Sequence, residues 1–163
     1  MTLTRSKLVA GIFVVLAALL GFVLWPRGPA ASIEDLIRQK VVATARAAEK
    51  KDLGYIMDQV SERFASAEGW QKQELKQVLA AQLLRGNWVR VFIVDLKITV
   101  TSTTSASFSG KFIFGRSEAA TLKELARSTE MSSYLVQATL EKERDGWKFV
   151  SAEHRTIEAS EFL

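Results

Sequence analysis

Trp88-Val89-Arg90-Val91-Phe92-Ile93-Val94-Asp95-Leu96-Lys97-Ile98-Thr99-Val100-Thr101 is the stretch on which the fold turns. Its side chains alternate with a period of two, as they do on a β-strand, where successive residues face opposite sides of the sheet. Trp88, Arg90, Phe92, Val94, Leu96, Ile98 and Val100 fall on one face, and Val89, Val91, Ile93, Asp95, Lys97, Thr99 and Thr101 on the other. The first half is apolar on both faces, which places it inside a sheet, whereas the second half is polar on one. Everything from Ser32 to Arg85 has a helical period instead, so the change after Gly86 predicts helices first and strands second.

Working back from Gly86, Leu75, Val78, Leu79 and Leu83 predict a helix from Gln71 to Arg85, with Gly86 at its C′ position. Ahead of it, Leu53, Ile56, Met57, Val60 and Phe64 form one apolar stripe of a shorter helix capped by Asp52. Ile33, Leu36, Ile37, Val41, Ala45 and Ala48 mark a longer helix to Glu49, opened by Ser32 with Asp35 three residues on, a short capping-box arrangement. Three amphipathic helices thus precede the first expected strand.

Working forward, Thr101 to Ser105 reads as a hairpin tip, and Ala106, Phe108, Phe112 and Phe114 share a face of the return strand. Gly110 between them predicts a bulge or bend, since glycine weakens a strand interior. Residues 116–130 form a polar connection with a short helix expected around Leu122 and Leu125. A second hairpin follows, with Tyr134, Val136, Ala138 and Leu140 going out and Trp147, Phe149, Val150 and Ala152 returning. Its turn, Arg144-Asp145-Gly146, contains the Asp-Gly pair that supplies positive φ.

At the other end of the chain, Leu8 to Trp25 is apolar throughout, preceded by Arg5 and Lys7 and followed by Pro26 and Arg27. As a helix it would be about 27 Å long, near the ~30 Å hydrocarbon thickness of a bilayer. The rival reading, a cleaved secretory signal, fits less well because the run exceeds the usual apolar region of such signals. Two basic residues before the run and one just after it orient residues 1–7 to the cytoplasm and the remainder outside. The expected map is therefore a cytoplasmic N-terminus at 1–7, a transmembrane helix at 8–25, a proline-stiffened linker at 26–31 and one domain at 32–163. A single-pass protein of the inner (cytoplasmic) membrane, with its C-terminal domain extracytoplasmic, is the corresponding localisation.

Composition narrows the function. Without Arg5 and Lys7, the 22 basic residues fall to 20 against 18 acidic ones, and no basic stripe interleaved with aromatics exists to follow a phosphate backbone. Nucleic-acid binding is not expected. The chain has no cysteine, which removes disulfides and thiolate chemistry, and its one histidine, His154, does not make a zinc site alone. No metal and no cofactor is expected. No serine elbow or glycine-rich phosphate loop is present.

Helices followed by a long, bent antiparallel sheet form an α+β fold, with the helices on one concave face. Two segments carry a further likeness: the corner Glu49-Lys50-Lys51-Asp52-Leu53, and the ending Leu140-Glu141-Lys142-Glu143-Arg144-Asp145-Gly146-Trp147-Lys148-Phe149-Val150. In these the chain, from about Ser32 to Ile157, resembles the nuclear transport factor 2-like superfamily, with a cystatin-like arrangement as the related alternative. The resemblance implies three helices on a curved antiparallel sheet around a conical cavity. It also implies acid–base residues in that cavity among enzyme members such as ketosteroid isomerases and polyketide cyclases.

The cavity candidates are Tyr55, Asp95, Tyr134 and His154. Asp95 would act as a desolvated carboxylate and the tyrosines as hydrogen-bond donors, although a surface pair with Lys97 for Asp95 and ordinary packing for Tyr55, Tyr134 and His154 are the simpler readings. A tyrosine and two aspartates do not align to the isomerase pattern, so no catalytic residue is assigned. The leading expectation is a non-catalytic, membrane-anchored domain acting through protein–protein contacts in the cell envelope, with a protein partner or a homodimer. A binder of a small apolar or lipid-like ligand is the alternative, and an isomerase, cyclase or dehydratase the third reading.

Overall fold

The computed structural model describes residues 31–85, 90–115 and 131–158, within a compact unit spanning 32–163. The expectations for residues 1–30, for Gly86, Trp88 and Val89, for the 116–130 connection and for the chain end after Glu158 lie outside the described residues. Among the described residues, no helix is long and apolar enough to cross a membrane.

Helix α1 (Ile33–Glu49) begins as its sequence dictates. Ser32 is the N-cap, its Oγ accepting from the Asp35 backbone N–H at 3.1 Å and donating to Asp35 Oδ2 at 2.7 Å. At the other end Lys51 sits in the left-handed region at φ 57°. There the Lys51 N–H donates to the Ala48 carbonyl at 3.0 Å and the Asp52 N–H to the Ala47 carbonyl at 2.9 Å, a Schellman motif built on a lysine. Asp52 then caps α2 (Leu53–Asp58) by accepting from the Tyr55 N–H at 2.9 Å.

The order of elements departs from expectation at Val60. Instead of continuing the helix, Val60–Ser66 is a strand, β1, and only then does α3 (Lys72–Arg85) follow. Val60 and Phe64 are both buried, and their four-residue spacing looks helical. A strand gives the same spacing, because residues i and i+4 also share a face at a period of two, and β1 shifts register against β5 between Val60 and Ala65. Only the partner strand, more than 80 residues away in sequence, distinguishes the two conformations.

The sheet comprises β1, β2 (Arg90–Val100), β3 (Ser105–Gly115), β4 (Met131–Glu143) and β5 (Gly146–Thr156), in the order β1-β5-β4-β3-β2. It is mixed rather than antiparallel: β2 to β5 form the two expected hairpins, but β1 pairs parallel to β5. Both hairpin tips fall where the turn residues place them, and Gly146 has φ 121°.

A second correction concerns β2, whose two faces exchange midway. The register against β3 shifts between Val94 and Lys97, and Asp95 adopts φ 54°, so one extra residue bulges there. Val91 and Ile93 therefore share the core-facing side with Leu96 and Ile98. Gly110 marks the place but not the strand of this bulge. Its own pairing with Val136 is regular, and its missing Cβ leaves room for Leu96, whose Cδ1 would lie 3.2 Å from one.

The core lies between α1 and the sheet. Ile37 and Val41 from the helix meet Phe108, Phe112, Leu140 and Trp147 from the strands, all buried. Smaller clusters join α1 to α2 and α3 through Ala47, Ile56 and Leu83, and α2 to β1 through Met57, Val60 and Phe64.

Candidate functional site

A cavity of about 400 Å³ opens between the helices and the inner face of the sheet. Val41, Ala45 and Ala48 of α1 and Leu75, Val78 and Leu79 of α3 supply one wall, and the aromatic rings of β3 and β5 supply the other. These α3 residues are half-buried rather than buried, with Leu75 and Leu79 packed against the Met57, Val60 and Phe64 cluster. Polar groups in the lining are few: Thr44, Gln82, Trp70, Tyr134 and His154. The volume falls within the range of small-molecule sites, as does a mainly apolar wall with a few placed polar groups.

Three of them, Trp70, Tyr134 and His154, gather at one place. His154 near the end of β5 lies edge-on to Tyr134 of β4, with ring centroids 5.7 Å apart, and the Trp70 ring centroid is 6.3 Å from that of His154. Phe114 packs edge-on against Tyr134 at 5.8 Å. His154 Nδ1 is 3.3 Å from Glu68 Oε1. The Glu68 carboxyl is held below the usual carboxylate range by a backbone hydrogen bond of its own and by Ser66, with His154 adding to the effect.

Of the four residues expected in the cavity, the structure brings Tyr134 and His154 together on its wall. Tyr55 is 38% exposed on α2 and lines an outer groove with Arg38 and Arg46. The Asp95 side chain is 56% exposed and pairs with Lys111 at 2.9 Å, which lowers its pKa. Glu68 and Trp70 were not among the expected residues. They lie in the Ala67-Glu68-Gly69-Trp70 turn, whose Gly69 has φ 84°, and nothing local in that turn announces a neighbour 84 to 86 positions away. Among the described residues, no group of three or more potential ligands is placed to hold a metal ion.

Comparison with known proteins identifies the class of fold. The domain has the α+β architecture shared by nuclear transport factor 2-like and cystatin-like proteins. A protein of unknown function with a cystatin-like fold from Nostoc punctiforme superposes with a TM-score of 0.58 at 13% identity, covering 81% of this chain and 98% of that one. A nuclear transport factor 2-like protein of unknown function from Shewanella oneidensis gives 0.58 at 15% identity, covering 76% and 98%. One from Cytophaga hutchinsonii gives 0.58 at 13%, covering 78% and 100%. At such identities the likeness concerns the fold. No protein-family model matches the chain, and no curated protein matches it in sequence.

Proposed function

We propose that the domain binds a small, largely apolar ligand in the cavity between its helices and sheet. The observation that carries this reading is the cavity itself: about 400 Å³ of space walled by aliphatic and aromatic side chains. A domain whose sole task was to present an outer surface would gain stability by closing such a space, because side chains lining a void lose packing contacts. The polar cluster of His154, Tyr134 and Trp70, with Glu68 beside His154, gives the ligand a polar end and fixes its orientation. This reading takes precedence over the protein-contact role favoured from sequence alone, and the two are compatible in one molecule.

The His154–Glu68 pair keeps an acid–base reaction as a second reading, since it offers the cavity one imidazole held by a carboxylate. The apolar run Leu8 to Trp25 supports tethering to a membrane, and a membrane-bound position would suit a ligand that partitions into lipid.

The test is a titration of the full chain, in mild detergent, with an anilinonaphthalene sulfonate probe. The expected result is saturable fluorescence enhancement at one site, lost in an Ala138→Phe variant that fills the cavity floor. Enhancement unchanged by Ala138→Phe and by a second filling variant, Ala45→Phe, would overturn the proposal.

A further inference from the structure

Where α1, the end of α2 and the start of β5 meet, two lysines converge on consecutive residues. Lys40 Nζ donates to the side-chain oxygen of Gln59, and Lys148 Nζ donates to the Asp58 carbonyl. Both acceptors are held in place. Gln59 Nε2 donates to the Tyr55 carbonyl at 3.2 Å, which turns the amide oxygen towards Lys40, and the Phe149 N–H donates to the Gln59 carbonyl at 2.9 Å, which fastens β5 to the end of α2. Lys40 is half-buried beside the core residues Ile37 and Val41 of its own helix, and the Lys148 side chain is 15% exposed.

Charge in this corner does not balance. Among the described residues, two charges act on Lys40: Lys148 of β5, which opposes its ammonium, and Asp145 of the β4–β5 turn, which favours it. Asp145 is exposed and committed to Lys148, 2.8 Å away. Burial first, and Lys148 second, hold the Lys40 amine below the usual lysine range, and Asp145 offsets them only in part. A desolvated lysine beside another cation keeps an enlarged share of neutral amine, the nucleophilic form, near neutral pH.

We infer that Lys40 is a modification site for carbon dioxide, forming a reversible carbamate with Lys148 as its counter-ion. The neutral Nζ attacks the carbon of carbon dioxide, an N–C bond forms, one C–O π pair moves onto oxygen, and the nitrogen releases a proton to water. Starting from the ammonium, the balance is one lysine cation and one carbon dioxide giving one carbamate anion and two protons, with no oxidant, reductant or leaving group. Carbon dioxide is the electrophile this corner selects because its adduct is an anion. An acyl group would leave Lys40 neutral and a methyl group would leave it cationic, whereas a carbamate turns the repulsion between Lys40 and Lys148 into a charge-assisted pair.

Carbon-13 NMR of the full chain in mild detergent, equilibrated near neutral pH with labelled carbon dioxide and bicarbonate, tests the inference. Trapping with a trialkyloxonium reagent and peptide mass spectrometry then place each adduct. The expected result is a carbamate on Lys40, absent from exposed Lys50 and lost in Lys40→Arg, which keeps the charge and the donor to Gln59. Lys148→Met removes the counter-ion and lets Lys40 hold its proton, so occupancy is expected to fall about tenfold, and Lys148→Arg restores most of it. Asp145→Asn frees Lys148 for the carbamate and keeps a turn-compatible residue before Gly146, so it is expected to raise occupancy, a direction that misfolding would not produce. No adduct on Lys40, equal adducts on Lys40 and Lys50, or an occupancy indifferent to both Lys148→Met and Asp145→Asn would each overturn the inference.

Discussion

Among the described residues, two non-glycine residues with positive φ mark where single side chains carry conformational cost. Lys51 closes the Schellman motif of α1 at φ 57°, a conformation that costs an L-residue roughly 1–2 kcal/mol and a glycine almost nothing. Lys51→Gly is expected to raise stability by about 0.5–1 kcal/mol, part of the relief being offset by the freer unfolded chain. Urea denaturation measures this directly. Asp95, at φ 54°, is one of the few residue types that visit this region readily. It also belongs to a set of carboxyls held below their usual values: Glu68 by its own backbone and Ser66, Asp95 by Lys111, Glu143 by Ser61, and Asp145 by Lys148. A carboxyl depressed in the folded state adds stability that is complete above its unfolded value, near 4, and lost as pH falls through the lower folded values. The urea midpoint should therefore owe no pH dependence to these groups between pH 7 and 5 and decline below about pH 4.

At the scale of elements, β1 and β2 form the two edges of the sheet and are protected differently. Asp95 bulges β2, and a bulge disrupts the regular edge that another strand would need. β1 carries exposed Glu62 and Arg63 and is fastened to the β4–β5 hairpin from within. Ser61, 1% exposed, donates to Glu143 Oε1 at 2.7 Å and accepts from the Arg63 N–H at 3.0 Å. Ser61→Ala is expected to cost about 1–2 kcal/mol, the price of an unmet backbone donor and carboxylate. Hydrogen exchange should show β1 opening ahead of β3 and β4. The β2 bulge and Gly110 form one unit, since a Cβ on Gly110 would meet Leu96 at 3.2 Å and the Phe112 ring at 3.3 Å. Gly110→Ala should destabilise the protein. Combining it with Leu96→Ala should cost less than the sum of the two single changes, a coupling read from a double-mutant cycle.

At the scale of the whole domain, the opposed sides of one sheet have opposed chemistry. The inner side carries the aromatic and aliphatic wall and the outer side Thr99, Ser107, Thr139 and Ser151, separated by regular alternation along β3 and β4 and by an alternation reset at a bulge on β2. Leu140, fully buried in the principal core, should cost about 3–5 kcal/mol as Leu140→Ala. Ala138, on the cavity floor, should behave in the opposite sense. Ala138→Leu fills space rather than creating it, so it is expected to preserve or raise the thermal midpoint while weakening probe binding. Differential scanning calorimetry with and without probe separates these effects. A matched loss of stability and binding would show that the space is already packed in solution.

Sequence alone determined the elements whose causes are local: the Ser32 and Asp52 caps, the α1–α2 corner, both hairpin tips, and the α+β class that follows from a helical period giving way to an alternating one. These depend on residues within about five positions of each other, where capping, turn geometry and side-chain periodicity act. Tertiary structure alone decided three things. Val60 and Phe64 became a parallel edge strand because β5 was there to pair with it. β2 exchanged its faces because Asp95 bulged opposite Gly110. His154 and Tyr134 met Glu68 and Trp70 at the cavity while Asp95 and Tyr55 turned outward. Each depends on hydrogen-bond partners and packing neighbours far apart in the chain. A residue's own pattern carries no information about which distant strand lies beside it.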